Sequence, residues 1–296
     1  MNEVIHDLYG AEDQEAMYQY AISRPLEEKV QQAIMLIQTY EGQALQLSPE
    51  GYYVCFSGGK DSIVMERLFR MSGVKYQSHY NNVTIDPPEL VQFLKKNYPQ
   101  TVWHSQSKPL PLAMVDGANG PPTRLQRWCC ESYKEQGGIG VFKAIGVRAE
   151  ESPRRKGMWQ SVTMHRTNHA PILSPILYWT ETDVWQFIRE NNMPYCSLYD
   201  EGFKRLGCVG CPMAGPTGQA RDFARWPKYE ALWKRGFQAY WDKYKGTLTK
   251  AGKDRALEKF LTVDDLWQWW ISGKAYEGEK AGCQLWLWGG NEHGEK

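Results

Sequence analysis

The fold is decided by Gly51-Tyr52-Tyr53-Val54-Cys55-Phe56-Ser57-Gly58-Gly59-Lys60-Asp61-Ser62. Tyr52 to Phe56 is a short apolar run, suited to a strand of a parallel sheet buried on both faces. Ser57-Gly58-Gly59 ends the run, and from Lys60 to Met71 the residues Ile63, Val64, Leu68 and Met71 share roughly one helical face. The pattern predicts a strand, a glycine turn and a helix. Glycines let the backbone approach a ligand closely and take positive φ. The turn's N–H groups and the positive end of the helix dipole then form an anion site. Lys60 adds a full positive charge, Ser57 and Ser62 add hydroxyl donors, and Asp61 is placed to orient Mg²⁺ or a nucleotide hydroxyl. This is not a Walker A loop, which requires glycine where Val54 stands. The plain alternative is an ordinary turn with a solvated Lys-Asp pair, but the six-residue run is far more specific than a bare Gly-Gly.

Working outward, Pro25 to Gln46 reads as a helix with Ile34, Leu36, Ile37 and Leu45 packed and Glu27, Glu28 and Lys29 solvated. Val74 to Asn81 reads as a second strand. Asp86 is expected to cap a helix running to about Asn97, with Pro87 and Pro88 in its first turn and Leu90, Phe93 and Leu94 inward. Thr101 to His104 and Val141 to Val147 read as further strands, with a loop from Pro109 to Pro122 between them. Ile172 to Tyr178 is a fifth strand candidate. Thr180 and Asp183 begin a helix with Val184, Trp185, Phe187 and Ile188 against the sheet. Alternating strands and helices predict an α/β fold with a parallel sheet flanked by helices. The expected division is a helical segment 1–46, a nucleotide-binding α/β domain 47–216 and an aromatic-rich helical region 217–296. In that last region Trp226, Tyr229, Trp233, Phe237, Tyr240 and Tyr244 recur at helical spacing, as a buried helix face does; base stacking is the lesser reading. Thr262 caps a further helix carrying Leu266, Trp269 and Trp270.

The 296 residues carry a net charge of +1, so no global field draws nucleic acid or a membrane, and any nucleic-acid contact needs a local basic patch. No basic leader precedes an apolar run, and no stretch reaches the length of a membrane span, so a cytoplasmic location is expected. In reducing surroundings the seven cysteines read as ligands, nucleophiles or core residues. Cys129-Cys130 and Cys208-Val209-Gly210-Cys211 together supply four sulfurs, the number needed by Zn²⁺ or a [4Fe–4S] cluster. Adjacent residues on a helix point about 100° apart, which suits a cubane with separate irons better than one tetrahedral ion. Cys55 reads as core, while Cys196 and Cys283 stand outside the cluster set. His165 and His169 have no ligand spacing with the cysteines.

Gly146-Val147-Arg148-Ala149-Glu150-Glu151-Ser152-Pro153-Arg154-Arg155 follows an expected strand end, where ligands of open α/β sheets sit. Arginine forks suit phosphate or sulfate oxygens; a solvated basic loop is the alternative. Arg124 and Arg127, just before the tandem cysteines, either face the same cleft or are surface charges.

Ser57 to Ser62 resembles the PP-loop of the N-type ATP pyrophosphatases, or adenine nucleotide alpha hydrolases. With the tandem cysteines and Cys208-x-x-Cys211-Pro212, the stretch from about Pro25 to Pro212 is similar to the iron–sulfur branch of the phosphoadenylyl-sulfate (PAPS) reductase family. That branch includes adenylyl-sulfate (APS) reductases and the DNA phosphorothioation ATP pyrophosphatases of the Dnd and Ssp systems. The resemblance implies a Rossmann-like sheet, with ATP and Mg²⁺ bound by Ser57, Gly58, Gly59, Lys60, Asp61, Ser62, Gly146, Arg148, Ser152 and Arg154 or Arg155. It also implies Lys60 and Asp61 in catalysis, and a [4Fe–4S] cluster on Cys129, Cys130, Cys208 and Cys211. The sequence departs from the reductases in one respect. Their terminal Glu-Cys-Gly-Leu-His segment is missing, and Cys283 stands in Gly-Cys-Gln-Leu-Trp-Leu-Trp. The expected activity is therefore an ATP pyrophosphatase that adenylates an acceptor (DNA backbone, tRNA base or small molecule) for sulfur supplied by a partner such as a cysteine desulfurase. A sulfonucleotide reductase and a non-catalytic nucleotide sensor are the alternatives.

Overall fold

The computed structural model describes residues 11–116, 120–152, 156, 160–164, 170–249, 252 and 254–274, with residues 11–14 as backbone only. In chain order the elements are α1 (Ala11–Ser23), α2 (Leu26–Thr39), α3 (Glu41–Leu47), β1 (Tyr52–Cys55), α4 (Lys60–Ser72), β2 (Tyr76–Asn82), α5 (Pro88–Asn97), β3 (Val102–Ser105), α6 (Trp128–Tyr133), β4 (Lys143–Ile145), β5 (Val162–Met164), β6 (Pro171–Leu173), α7 (Glu181–Glu190), α8 (Gly215–Arg225), α9 (Pro227–Tyr244) and α10 (Val263–Ser272). The described residues fall into two compact units, one drawn from 1–80, 89–104 and 138–205 and the other from 81–88, 105–137 and 206–296. The units interleave along the chain, whereas the sequence reading divides it into three consecutive segments.

The first unit is built on a six-stranded sheet in the order β3-β2-β1-β4-β6-β5. The pairs β1–β2, β1–β4 and β4–β6 are parallel, and β5 runs antiparallel to β6. The chain winds outward from β1 through β2 to β3, then returns to lay β4 on the other side of β1. The order therefore reverses between β1 and β4, and in open α/β sheets the ligand crevice lies outside the carboxyl ends at such a point. The loop Ser57–Ser62 leaves β1 there, and Gly146–Ser152 leaves β4 there.

One face of β1 is sealed by helices. Tyr52 and Val54 are buried, the Tyr52 hydroxyl donates to Ile37 O at 2.7 Å, and its ring meets Phe69 edge-on at 5.1 Å. From α4 itself, Ile63, Val64, Met65, Leu68 and Phe69 are all completely buried, each contributing about 1.5–3 kcal/mol by removal from water. Met71, expected on that face, is 41% exposed, whereas Phe69 is buried. The expected helix from Pro25 is broken at Tyr40 into α2 and α3, and Leu45 lies exposed on the outer side.

Lys29 is not solvated. It is 3% exposed, with Nζ 2.6 Å from Asp183 Oδ2 and 2.7 Å from Ile22 O. Asp183 also closes the capping box of α7, accepting from Thr180 N–H and Oγ1. The expected loop before the cysteines contains a 3₁₀ helix, Leu110–Val115, with Leu110, Pro111, Ala113 and Met114 buried.

The second unit centres on α9 and α10. Trp233, Phe237 and Tyr240 are buried, with Trp233 4.9 Å from Trp270 and Phe237 5.2 Å from Trp267. The aromatic stripe is thus a core face, as its spacing suggests, and these three rings are closed to bases. Among the described residues no helix is long and apolar enough to cross a membrane.

Candidate nucleotide site and cysteine centre

Gly58 has φ +74°, and a Cβ there would lie 2.7 Å from Leu94 Cδ2, so the turn requires glycine both for its backbone conformation and for its closeness to α5. Ser62 stiffens the turn. Its hydroxyl accepts from Ser57 N–H at 3.3 Å, lies 3.2 Å from Ser57 Oγ and donates to Gly59 O at 2.9 Å. The N-cap of α4 is Gly59, in extended conformation and without a side chain to cap the helix, and the Tyr199 hydroxyl accepts from the first helical N–H, that of Lys60, at 2.9 Å. The first turn thus presents backbone N–H groups and the positive dipole end towards the crevice.

The structure brings Gly146 and Arg148 onto this turn. A Cβ on Gly146 would stand 3.2 Å from the carbonyl of Asp61 and 3.3 Å from Ser62 N, so the two backbones touch where a side chain would part them. Arg148 is 4% exposed, and its Nε lies 2.6 Å from Asp61 Oδ1. Its NH1 is 2.5 Å from Glu150 Oε2, which also accepts from Glu181 N–H at 2.7 Å. Lys60 is 5% exposed, with Nζ donating to Lys204 O at 3.1 Å and lying 3.6 Å from both Asp61 and Glu181. Asp61 is therefore the residue that holds the two cations side by side. Ser152 ends the 3₁₀ turn Ala149–Glu151, its N–H donating to Ala149 O at 3.4 Å. Arg154 and Arg155 lie outside the described residues, as do His165, His169 and Cys283. The sequence reading missed Tyr199, Glu150, Glu181 and Lys204. None stands in the loop motif, although Glu150 is inside the Gly146–Ser152 stretch and its acidity was visible there.

The four cysteines belong to the second unit. Cys129 and Cys130 ride on α6, a helix of six residues, with Arg127 NH2 3.5 Å from Cys130 Sγ. Arg124 and Arg127 are exposed. Cys208–Cys211 is a loop pinned on all sides. Val209 N–H donates to Ile85 O at 2.8 Å, Gly210 N–H to Asp222 at 3.2 Å, Gln219 to Gly210 O at 3.0 Å and Trp233 Nε1 to Val209 O at 3.0 Å. Gln219 and Asp222, both buried, are scaffold residues the motif gave no sign of.

None of the six described cysteines is in a disulfide. The Cys129–Cys130 hydrogen bond lowers Cys130 and raises Cys129, which also feels Cys208 and Cys211. Burial pushes Cys208 up to about 12, and Lys134 is raised in turn by the Cys208 sulfur. The four sulfurs therefore share one electrostatic neighbourhood. Among the described residues no three His, Cys, Asp or Glu side chains converge as a single-ion site. A cubane's ligands bind separate irons and need not converge on one point.

A family model for the phosphoadenosine phosphosulfate reductase domain matches residues 51–214, more than half of the chain. An uncharacterised protein of Methanocaldococcus jannaschii is 30% identical over 206 residues, 60% of this chain and 48% of that one. A second uncharacterised protein of that organism is 24% identical over 266 residues, 79% of this chain and 50% of that one, so the chain spans about half the length of these relatives. Adenosine 5'-phosphosulfate reductase 2 of Bacillus subtilis is 24% identical over 59% of this chain and 77% of its own. Among solved structures, phosphoadenylyl-sulfate reductase from Candida auris aligns with a TM-score of 0.43 at 15% identity, over 68% of this chain and 96% of that one. The loop from Ser57, the Gly146–Arg148 contact and both cysteine pairs all fall between residues 51 and 214, and the chain belongs to the phosphoadenosine phosphosulfate reductase domain family.

Proposed function

We propose that this protein is an ATP pyrophosphatase that adenylates an acceptor for sulfur transfer. The observation that carries the reading is the junction of the two ligand segments. Arg148 is held 2.6 Å from Asp61 at the reversal between β1 and β4, beside a helix N-terminus whose N-cap is a glycine. Such a site suits the α- and β-phosphates of a nucleotide. An acceptor oxygen attacks the α-phosphorus, the bond from that phosphorus to the α–β bridging oxygen breaks, and pyrophosphate leaves with its charge met by loop N–H groups and Lys60. The acceptor then carries AMP as a leaving group for incoming sulfur, whose source is a partner such as a cysteine desulfurase. The proposed acceptor class is a nucleic-acid backbone, as in DNA phosphorothioation.

A sulfonucleotide reductase needs a reactive thiolate at the sulfate sulfur, and the described thiols do not favour that reading, Cys283 lying outside the described residues. Outside the cysteine centre, the described thiols are Cys55, pushed up to about 11 by burial, and Cys196, 1% exposed and also raised by burial. Neither has the environment of a nucleophile. The reductase reading is favoured by the APS reductases among the relatives. In the reading proposed, Cys129, Cys130, Cys208 and Cys211 hold a [4Fe–4S] cluster, to which their all-thiol donor set is suited. When bound, the cluster supplies a redox centre beside the cations Arg127 and Lys134.

Anaerobic incubation separates the two reactions. Pyrophosphate and AMP from ATP, in the presence of DNA, cysteine and a cysteine desulfurase, support the pyrophosphatase. Sulfite from adenylyl sulfate with thioredoxin, and no pyrophosphate from ATP, refutes it.

A further inference from the structure

The stretch from Cys196 to Lys204 lies over the loop and accepts from both the backbone N–H and the ammonium of Lys60. The backbone N–H of Lys60 donates to the Tyr199 hydroxyl oxygen at 2.9 Å, and its ammonium donates to Lys204 O at 3.1 Å. The same ammonium lies 5.8 Å from the centroid of the Tyr199 ring. A Cβ on Gly59 would meet the Tyr199 hydroxyl oxygen at 3.5 Å, so the phenol stands directly at the mouth of the turn.

This phenol is firmly seated. Its ring meets Trp185 edge-on at 5.1 Å and Tyr195 at 6.4 Å. It closes a 3₁₀ turn, Ser197–Tyr199, anchored by Leu198 and Cys196, which are 0% and 1% exposed. The hydroxyl oxygen is used as an acceptor by Lys60 N–H, and among the described residues its proton has no acceptor. The row of donors on the helix end is thus extended outward by one O–H group, flanked by an ammonium. Such a pair suits an anionic oxygen.

We propose that Tyr199 is a phosphate-binding residue of this site, donating its phenolic hydrogen to a non-bridging oxygen of the nucleotide phosphate seated on the loop. The inference rests on the reading of Ser57–Ser62 as a nucleotide loop. Burial raises the phenol above its ordinary range, so the proton stays in place across the usable pH range.

The test is calorimetric titration of the full chain with ATP and with inorganic pyrophosphate. Tyr199→Phe keeps the aromatic packing and removes only the hydroxyl. Tyr195→Phe, which removes the neighbouring hydroxyl bonded to Asp200 at 3.0 Å, is the control. Tyr199→Phe is expected to weaken both ligands about ten- to a hundredfold, the size of one lost hydrogen bond to a charged group, with Tyr195→Phe unchanged and thermal melting of both variants close to the parent. Equal affinity in parent and Tyr199→Phe overturns the proposal. Tighter binding by Tyr199→Phe also overturns it, since the hydroxyl would then be competing with phosphate for Lys60 N–H. If Lys60→Ala weakens binding while Tyr199→Phe does not, only the Tyr199 inference falls. If the parent binds neither ligand, the loop reading falls and takes this inference with it.

Discussion

Replacing Arg148 by alanine tests whether the Gly146–Ser152 segment is tied to the loop by charge. Arg148 is 4% exposed, and its guanidinium sits 2.6 Å from Asp61 and 2.5 Å from Glu150. Removing one partner of a fully buried pair costs about 3–5 kcal/mol, because a charge is left stranded. Here the stranded carboxylates are 17% and 44% exposed, so water relieves part of that cost. The expected destabilisation is about 2–3 kcal/mol. Removing both Arg148 and Asp61 strands less charge, so the double variant should be more stable than the sum of the single effects by about 1–2 kcal/mol. Urea unfolding of the parent, Arg148→Ala, Asp61→Ala and the double variant measures this coupling directly. A coupling under about 0.5 kcal/mol would refute the claim that this pair stitches the two segments together.

Lys60→Ala should weaken ATP binding by about 1.5–3 kcal/mol, the range for a charge-assisted contact; unchanged affinity in calorimetry counts against the loop. Cys208→Ser and Cys211→Ser should each abolish the brown colour and lower the iron content of anaerobically purified protein, whereas stoichiometric zinc without iron in the parent would remove the cluster. His79 stacks on Tyr53 at 3.7 Å with Nδ1 2.9 Å from His104 Nε2, and burial followed by the His104 charge lowers it to about 4. An unfolded histidine titrates near 6.5, so the unfolded chain binds more protons between those values. Stability should therefore fall as pH drops from about 6.5 to about 4, and His79→Asn should flatten that slope in denaturation curves.

The loop was legible because everything it depends on is local. An apolar run, two glycines and a helical face lie within Gly51–Met71, and β1, the turn and α4 form where they are expected. Arg148 was legible for a different reason, since a strand end followed by arginine is itself a site signal in such sheets. The failures are partners distant in sequence. Lys29 looks like a surface lysine until Asp183, 154 residues on, lies beside it. Tyr199, Gln219 and Asp222 sit in no motif, and their positions follow only from how α7, α8 and the loops before them pack. β5 was missed because Val162–Met164 is three residues at a sheet edge, too short to show a period. Leu110–Val115 looked like loop because prolines and glycines surround it, yet burial of Leu110 and Met114 orders it.

The most direct measurement is a crystal structure with the α,β-methylene analogue of ATP, which cannot be cleaved between those phosphates. The account predicts its α- and β-phosphates on the N–H groups of the loop and the first turn of α4 other than that of Lys60, with the Lys60 ammonium and Arg148 turned onto their oxygens. The analogue bound elsewhere, with the Lys60–Lys204 and Arg148–Asp61 contacts intact, would contradict it.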